Sequence, residues 1–218
     1  MKTQPTLDIA ELFFSIQGES SYAGQPCVFI RLAGCNLCCN FCDAGYANTE
    51  PPTRRTLAEI LAFVADYPGF PVEITGGEPL LQETVYPLMA ALLGAGRQVL
   101  LETNGSLALE RVPAGVIKIV DVKCPDSGTG ASFALGNLLQ LAPEDELKFV
   151  ISSRDDYNWA VAFLREHRLP GHRIVHFSPV TTLLEPGVLA EWVLADRLPV
   201  RLQIQLHKVL WPGVVRGK

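Results

Sequence analysis

The sequence predicts an α/β fold of parallel βα units with its ligand site at the C-terminal ends of the strands. Three observations predict it. Short apolar and β-branched runs recur along the 218 residues, amphipathic stretches separate most of them, and polar or metal-binding residue types collect after the runs with almost none inside. Apolar runs alternating with helical stretches are the pattern of a parallel sheet with helical crossovers, and those crossovers are right-handed. A complete eight-unit barrel takes about 250 residues. Six or so units therefore suggest an incomplete barrel or an open doubly wound sheet, and either collects ligands at the strand C-termini.

The runs that read as buried strands are 27–32, 71–75, 98–102, 117–123, 146–151, 173–177 and 201–205. The first helix is expected over 56–66 (TLAEILAFVAD), with Thr56 as N-cap and Leu57, Ile60, Leu61 and Val64 on its apolar face. Residues 83–93, 155–166 and 187–196 read the same way; Gly94 and Gly96 suit a helix stop, and Pro170 follows another. What comes after each strand is informative. Residues 33–43 (AGCNLCCNFCD) follow the first, Gly76-Gly77-Glu78-Pro79 the second, Glu102-Thr103-Asn104-Gly105 the third, Asp121 to Pro125 the fourth and Ser178-Pro179 the sixth. One site on one face of the fold is expected.

Composition narrows the class. No linker or repeat divides the chain, so one domain over 1–218 is expected. A low charged fraction, 19%, and a slightly positive mean hydropathy exclude a disordered chain. No apolar run reaches a membrane span of roughly 18–20 residues, and residues 1–10 have no signal-peptide core. The net charge of −5 argues against direct nucleic-acid binding, which needs a basic excess. A cytoplasmic protein is expected.

Of six cysteines, four lie within eight residues, from Cys35 to Cys42. Disulfide frameworks spread along a chain, whereas metal sites bunch. Pairing Cys35 with Cys38 and Cys39 with Cys42 gives two adjacent C-x2-C units, too close to close a zinc tetrahedron, and a lone redox pair would not sit in a cluster. Using Cys35, Cys39 and Cys42 gives C-x3-C-x2-C. Three thiolates can hold three irons of a 4Fe–4S cube and leave the fourth open, and an open position marks a catalytic metal site. Cys27 then reads as a small core residue, Cys38 as a non-ligand, and Cys124 as a pocket-lining residue or a catalytic thiol.

Cys35-x3-Cys39-x2-Cys42, with Phe41 before the last cysteine, resembles the signature of the radical S-adenosylmethionine (radical SAM) superfamily, and Gly76-Gly77-Glu78-Pro79 resembles its GGE motif. The resemblance implies a partial (β/α)6-type, TIM-like barrel. It implies that the amino and carboxylate groups of S-adenosylmethionine chelate the open iron, and that reductive cleavage yields a 5′-deoxyadenosyl radical that abstracts a hydrogen atom. The protein positions the cofactor and excludes solvent.

Further segments, 14–20 (FSIQGES), 29–37 (FIRLAGCNL), Cys42-Asp43, 75–80 (TGGEPL), 101–105 (LETNG) and 205–208 (QLHK), resemble the 7-carboxy-7-deazaguanine synthase family over nearly the whole chain. That resemblance implies conversion of 6-carboxy-5,6,7,8-tetrahydropterin to 7-carboxy-7-deazaguanine with loss of ammonia, on the route to deazapurines such as queuosine. It makes residues 1–26 a substrate-binding extension and 33–48 the cluster loop. Ile16, Gln17, Gly18, Glu19, Arg31 and Thr75 match substrate-binding positions. Phe41, Cys42, Asp43, Gly77, Glu78, Asn104, Lys123, Cys124, Pro125 and Ser178 fall at or beside cofactor-binding positions. No side chain is assigned as acid or base, since the cofactor carries the radical chemistry. The resemblance also implies a homodimer and a reductant such as flavodoxin or ferredoxin.

The residue types suit these roles, each beside a plainer one. Arg31 offers a planar bidentate grip on a carboxylate, or an ordinary ion pair with a nearby Glu. Gln17 offers a donor and an acceptor to a pterin edge, or is a polar turn residue. Glu19 accepts from the guanidine-like edge, or is a solvated carboxylate. His207 and Lys208 either reach the site or cap the barrel, and Trp159, Trp192 and Trp211 read as packing or interface residues. One departure stands out. The family often has Cys-Asp-Thr after the cluster, its Thr hydroxyl helping to hold Mg²⁺; here Ala44 takes that position and cannot ligate, so Mg²⁺ dependence is expected to be weak. Two other classes compete: an activase that places a glycyl radical on a partner enzyme, and a non-catalytic iron–sulfur or zinc-binding module. Neither explains Gln17, Arg31 and the Gly-Gly-Glu segment together.

Overall fold

The structure, a computed structural model, describes residues 4–167 and 173–218; Pro170, expected just after a helix, lies outside them. The strands are β1 (Thr6–Ile16), β2 (Pro26–Leu32), β3 (Thr53–Thr56), β4 (Val72–Gly76), β5 (Val99–Thr103), β6 (Val116–Asp121), β7 (Glu146–Ile151), β8 (Ile174–Pro179) and β9 (Arg201–Leu202). The helices are α1 (Tyr46–Thr49), α2 (Leu57–Ala65), α3 (Val85–Gly94), α4 (Arg154–Glu166), α5 (Pro186–Ala195) and α6 (Leu206–Leu210).

All nine strands join one sheet in the order β3-β1-β2-β4-β5-β6-β7-β8-β9. From β2 onward every neighbouring pair is parallel and follows chain order. A doubly wound sheet reverses its order at a switch point; none occurs here, and the two edge strands do not meet. The architecture is an incomplete (β/α)6-type barrel, with β1 and β3 added antiparallel on its leading edge.

The expected helices form where their signals lie. Thr56 caps α2 in a capping box: its hydroxyl accepts from the Glu59 N–H at 3.2 Å, and the Glu59 carboxylate accepts from the Thr56 N–H at 2.7 Å. Ile60 and Val64 are buried, with Leu57 and Leu61 packed beside them. Helix α3 stops at Gly94, with Gly96 at φ +71. No α-helix crosses from β5 to β6 or from β6 to β7; two 3-10 turns, Pro125–Ser127 and Leu135–Leu139, stand in the second gap.

Three expectations needed correction. Strand β6 ends at Asp121, so Lys123 sits in the loop beyond it, and the 201–205 strand shrinks to two residues. Strands β1 and β3 were not expected. In β1 the register shifts between Ile9 and Glu11, which breaks the period-two alternation, and β3 is an exposed charged edge with nothing apolar to signal it. The third correction concerns strand interiors. The outward side chains, among them Val28, Ile74, Leu101, Val120, Phe149 and Phe177, form the core with the helices. The inward ones are largely polar, namely Arg31, Glu73, Thr75, Glu102, Asp121, Glu146, Lys148, His176 and Ser178, as the shared register places them.

Candidate active site

The cluster loop leaves β2 and is fastened on both sides. The Cys35 N–H donates to Asn48 Oδ1 at 3.0 Å, and the Glu78 N–H donates to the Gly34 carbonyl at 2.8 Å. A Cβ on Gly77 would fall 2.2 Å from that carbonyl and 2.7 Å from Cys35 Cβ, so only glycine lets the loop after β4 lie against the cysteines. On the other side the Asn40 N–H donates to the Ser127 carbonyl at 2.9 Å, and its side chain to the Asp126 carbonyl at 2.9 Å. Cys35 lies 3.9 Å from Asn104 Nδ2, and Cys39 Sγ lies 3.3 Å from Thr129 Oγ1. The loops after β2, β4, β5 and β6 thus converge on Cys35, Cys39 and Cys42.

All six cysteines are free thiols. Among the described residues the one ligand trio within 4.8 Å is Glu19, Asp43 and His207; the thiols do not converge that tightly. Thiolates on one Zn²⁺, at about 2.3 Å from the metal, would sit roughly 4 Å apart. The three thiols together are set wider than one zinc would hold them. Burial raises the Cys35 and Cys42 thiols, and nearby like charges add to it. Cys38 is exposed, Cys27 is fully buried, and Cys124 lies in the core with its thiol pushed up by burial and by Asp156.

Glu78 is completely buried, and its carboxylate is taken by protein donors: the Leu80 N–H at 3.0 Å, the Thr103 hydroxyl at 2.9 Å and the Asn104 N–H at 2.8 Å. It holds the loop's shape, which leaves the Gly76–Gly77 backbone to face a ligand. Phe41 and Asp43 flank Cys42, Pro125 opens the turn after Cys124, and Lys123 pairs with Asp121 at 2.8 Å. Ser178 is fully buried on β8 with no partner for its hydroxyl.

The substrate-side residues meet on the inner face. Arg31 lies beside Thr75 in register; its Nε is 3.8 Å from Glu11, too long for a hydrogen bond, and is buried without a partner. Asp121 Oδ1 and His176 Nδ1 are orphaned the same way. Buried polar atoms are nearly always paired, so orphans converging from several strands mark where a polar ligand fits. Gln17 is no surface turn residue. It is 4% exposed, its amide donates to Glu73, and its carbonyl accepts from the Glu19 N–H at 3.1 Å. Burial and the neighbouring Glu102 push the Glu73 carboxyl well above its usual range. Glu19 is no solvated carboxylate either: Lys148 donates to it at 2.7 Å and Gln205 at 2.6 Å. Burial opposes its ionisation, but Lys148 wins and its pKa falls.

The 205–218 segment packs across this mouth. The Leu206 N–H donates to the Gly18 carbonyl at 2.9 Å, and a Cβ on Gly18 would fall 2.2 Å from His207 Nδ1. Ile16, the last residue of β1, leads into this contact. Lys208 lies 3.2 Å from Asp43. Desolvation opposes ionisation of Asp43, yet Lys208 and Lys148 hold its pKa down at about 2. Mg²⁺ does not fit well here. Ala44 offers no side-chain oxygen, its carbonyl accepts from the Ala47 N–H, and the carboxylates of Glu19 and Asp43 are already engaged by Lys148 and Lys208.

Sequence reasoning placed Glu102 and Asp121 at strand ends without giving either a role, and missed Glu73, Glu146, Lys148 and His176 as site-forming side chains. Their signal was present, charged residues at every second position of otherwise apolar runs such as VEIT, ELKFV and VHFS.

Residues 29–117 match the Radical SAM superfamily family model. The chain is 46% identical to the 7-carboxy-7-deazaguanine synthase of Chlorobaculum tepidum over the whole of both proteins. It is 47% identical to that of Koribacter versatilis, over 97% of this chain and all of the relative. The fold matches QueE from Escherichia coli with a TM-score of 0.77 at 24% identity, covering 93% of this chain and 95% of that one. No described helix is long and apolar enough to cross a membrane. Radical SAM family membership implies a 4Fe–4S cluster and S-adenosylmethionine. With two full-length relatives agreeing, the chain belongs to the 7-carboxy-7-deazaguanine synthase family of radical SAM lyases.

Proposed function

We propose that the inner face of the half-barrel binds 6-carboxy-5,6,7,8-tetrahydropterin and carries out its ring contraction to 7-carboxy-7-deazaguanine with loss of ammonia. The observation that carries this is the unpaired, buried Arg31 Nε on β2, the strand that runs into the cluster loop, with Gln17, Glu19 and Thr75 nearby. When bound, the cluster and S-adenosylmethionine supply the hydrogen-atom abstraction. Cys35, Cys39 and Cys42 hold the cluster. Phe41, Cys42, Asp43, Gly77, Glu78, Asn104, Lys123, Cys124, Pro125 and Ser178 form the cofactor pocket, Glu78 by fixing its loop.

The protein's own work is binding and orientation. Arg31 grips the substrate carboxylate in two-point fashion. Gln17, held by Glu73, presents its amide edge, and Glu19 accepts from the amino-pyrimidinone edge. Ile16 and Gly18 place the chain close to the ring, and Thr75 orients Glu102 through a 3.0 Å hydrogen bond. The Gln205–Leu210 segment excludes water.

Mg²⁺ stimulation is weak because the family's hydroxyl ligand is Ala44. A reductant such as flavodoxin or ferredoxin approaches the outer side of the cluster loop, where Leu37, Pro125, Thr129 and Trp159 line a groove. Six free thiols suit the reducing cytoplasm. One domain spans 1–218, and the protein acts as a homodimer.

The test is anaerobic. The cluster is reconstituted and reduced, S-adenosylmethionine and the carboxytetrahydropterin are added with and without Mg²⁺, and product is followed by chromatography. Deazaguanine forming with little gain from Mg²⁺ is expected. Only slow 5′-deoxyadenosine would sink the substrate assignment, and a strong millimolar Mg²⁺ requirement would overturn the Ala44 argument.

A further inference from the structure

Lys148 has no part in the sequence motifs. It stands in the middle of β7, 4% exposed, on the inner face. Its ammonium donates to Glu19 Oε2 at 2.7 Å and to Glu102 Oε1, and lies 3.4 Å from Asp121 Oδ2. These carboxylates come from three separate places: the extension before β2, the end of β5 and the end of β6. Each has a second donor, Gln205 at 2.6 Å for Glu19, Thr75 at 3.0 Å for Glu102 and Lys123 at 2.8 Å for Asp121. An ammonium has three N–H groups, and here all three face carboxylates.

Such a buried ionic group is poor as a device for stability alone, since apolar packing of equal volume commonly does as well. Its effect on neighbours is large. Three carboxylates at one buried point repel one another, and without a counter-charge one takes a proton or turns away. Glu19 takes the direction of its carboxylate from its two side-chain donors, Lys148 at 2.7 Å and Gln205 at 2.6 Å. Its backbone is locked: Ser20 holds φ +62, unusual for a non-glycine residue, and Gln203 clamps it by accepting from its N–H at 2.9 Å and donating to its carbonyl at 2.9 Å. The next N–H, of Ser21, donates to Glu146 at 3.0 Å. A strained residue this over-determined points to a position that matters.

We propose that Lys148 is a positioning residue of the substrate pocket: through its contacts with Glu19 and Glu102 it holds Glu19 as an ionised acceptor aimed at the guanidine-like edge of the pterin. A carboxylate takes the paired donors of such an edge only when charged and fixed in direction. The inference rests on the substrate reading above and deepens it. Lys148 acts through Glu19, so its removal is expected to weaken substrate binding more than cofactor binding.

The test compares Lys148→Met, Glu19→Gln and the double variant as anaerobically reconstituted proteins. Titration calorimetry with 7-carboxy-7-deazaguanine gives affinity, steady-state assays give KM and kcat, and 5′-deoxyadenosine formed without substrate reports the cofactor site. Lys148→Met is expected to raise both KM and the product Kd by about tenfold or more, with cluster content and uncoupled 5′-deoxyadenosine formation retained. The double variant is expected to bind no more weakly than Glu19→Gln, because a residue acting through Glu19 has nothing left to act on. Unchanged affinity in Lys148→Met, or additive losses in the double variant, overturns the proposal. If Lys148→Met does not fold, the double variant, which removes one charge of each sign, decides against Glu19→Gln. If neither folds, Lys148 is purely structural and the proposal falls. A wild-type protein that makes no deazaguanine would sink the substrate reading instead, which separates the two failures.

Discussion

Arg31 shows how one side chain links sequence to chemistry. It lies next to the end of a buried strand, its Nε has no hydrogen-bond partner, and the carboxylate it pairs with, Glu11, is 3.8 Å away. A guanidinium left short of acceptors is ready for a bidentate carboxylate, and lysine, a point charge on a flexible stem, cannot copy that geometry. Arg31→Lys is therefore expected to raise the pterin KM by about tenfold while leaving cluster content unchanged; an unchanged KM would remove Arg31 from the pocket. At the cluster, Cys35→Ala, Cys39→Ala or Cys42→Ala should lose iron and activity, whereas Cys38→Ala, at an exposed thiol, should keep both when iron content and turnover are assayed. The cysteine triplet, Gly77 and Arg31 were legible because their spacing or strand-end position is local. Glu73, Lys148 and His176 were not, since each sits inside an apolar run. Only the tertiary register shows that every second side chain faces a polar cavity rather than the helices.

Elements carry the next part of the logic, and β7 with β8 shows it best. Glu146 opens β7 and His176 lies on β8; they meet at 2.8 Å, and Glu146 also accepts from the Ser21 N–H. The pair fastens the loop after β1, with Glu19 just upstream, to the barrel wall. Burial, the largest single influence, would raise the Glu146 carboxyl, but His176 and the hydrogen bonds from Ser21 together outweigh it and the pKa lies below the ordinary 4.5. A carboxylate with a depressed folded-state pKa adds stability that is present above its unfolded value and lost as pH falls through the folded one. Wild type should thus lose this contribution below about pH 4.5, the ordinary value. Glu146→Gln should be less stable by about 1–3 kcal/mol near neutrality, with the gap closing in acid. Melting temperature measured against pH checks this, and parallel curves would refute it. Six of the seven expected strands and all four expected helices were found close to their bounds, because period and caps are local signals. Strand β1 was lost to its bulge, and β3 to its charged edge, where Arg54 and Arg55 discourage further pairing.

At the scale of the whole molecule, two segments from opposite ends of the sequence close one mouth. The extension before β2 brings Gln17, Gly18 and Glu19, and the 206–218 segment lies across them. The barrel does not need that segment to stand. Every residue from 206 to 218 is half-buried or exposed, none joins the core, and β9 ends the sheet before it. Its contacts are instead with the site: the Leu206 N–H on Gly18, Lys208 on Asp43, the Gly217 N–H on Glu11 at 3.0 Å, and Arg216 on Glu50 and over the Tyr46 ring. A segment that buries little yet touches the cluster loop and the substrate residues should matter more for turnover than for folding. Removing 206–218 is expected to leave a folded protein that holds its cluster and still forms 5′-deoxyadenosine. Deazaguanine formation should fall about tenfold or more, as water enters and the Asp43 and Gly18 contacts are lost. Circular dichroism, iron content and product assays separate these outcomes. Full product formation by the truncated chain would show that the barrel and the extension alone make the site, whereas loss of folding would show that the segment's small buried area is structural after all.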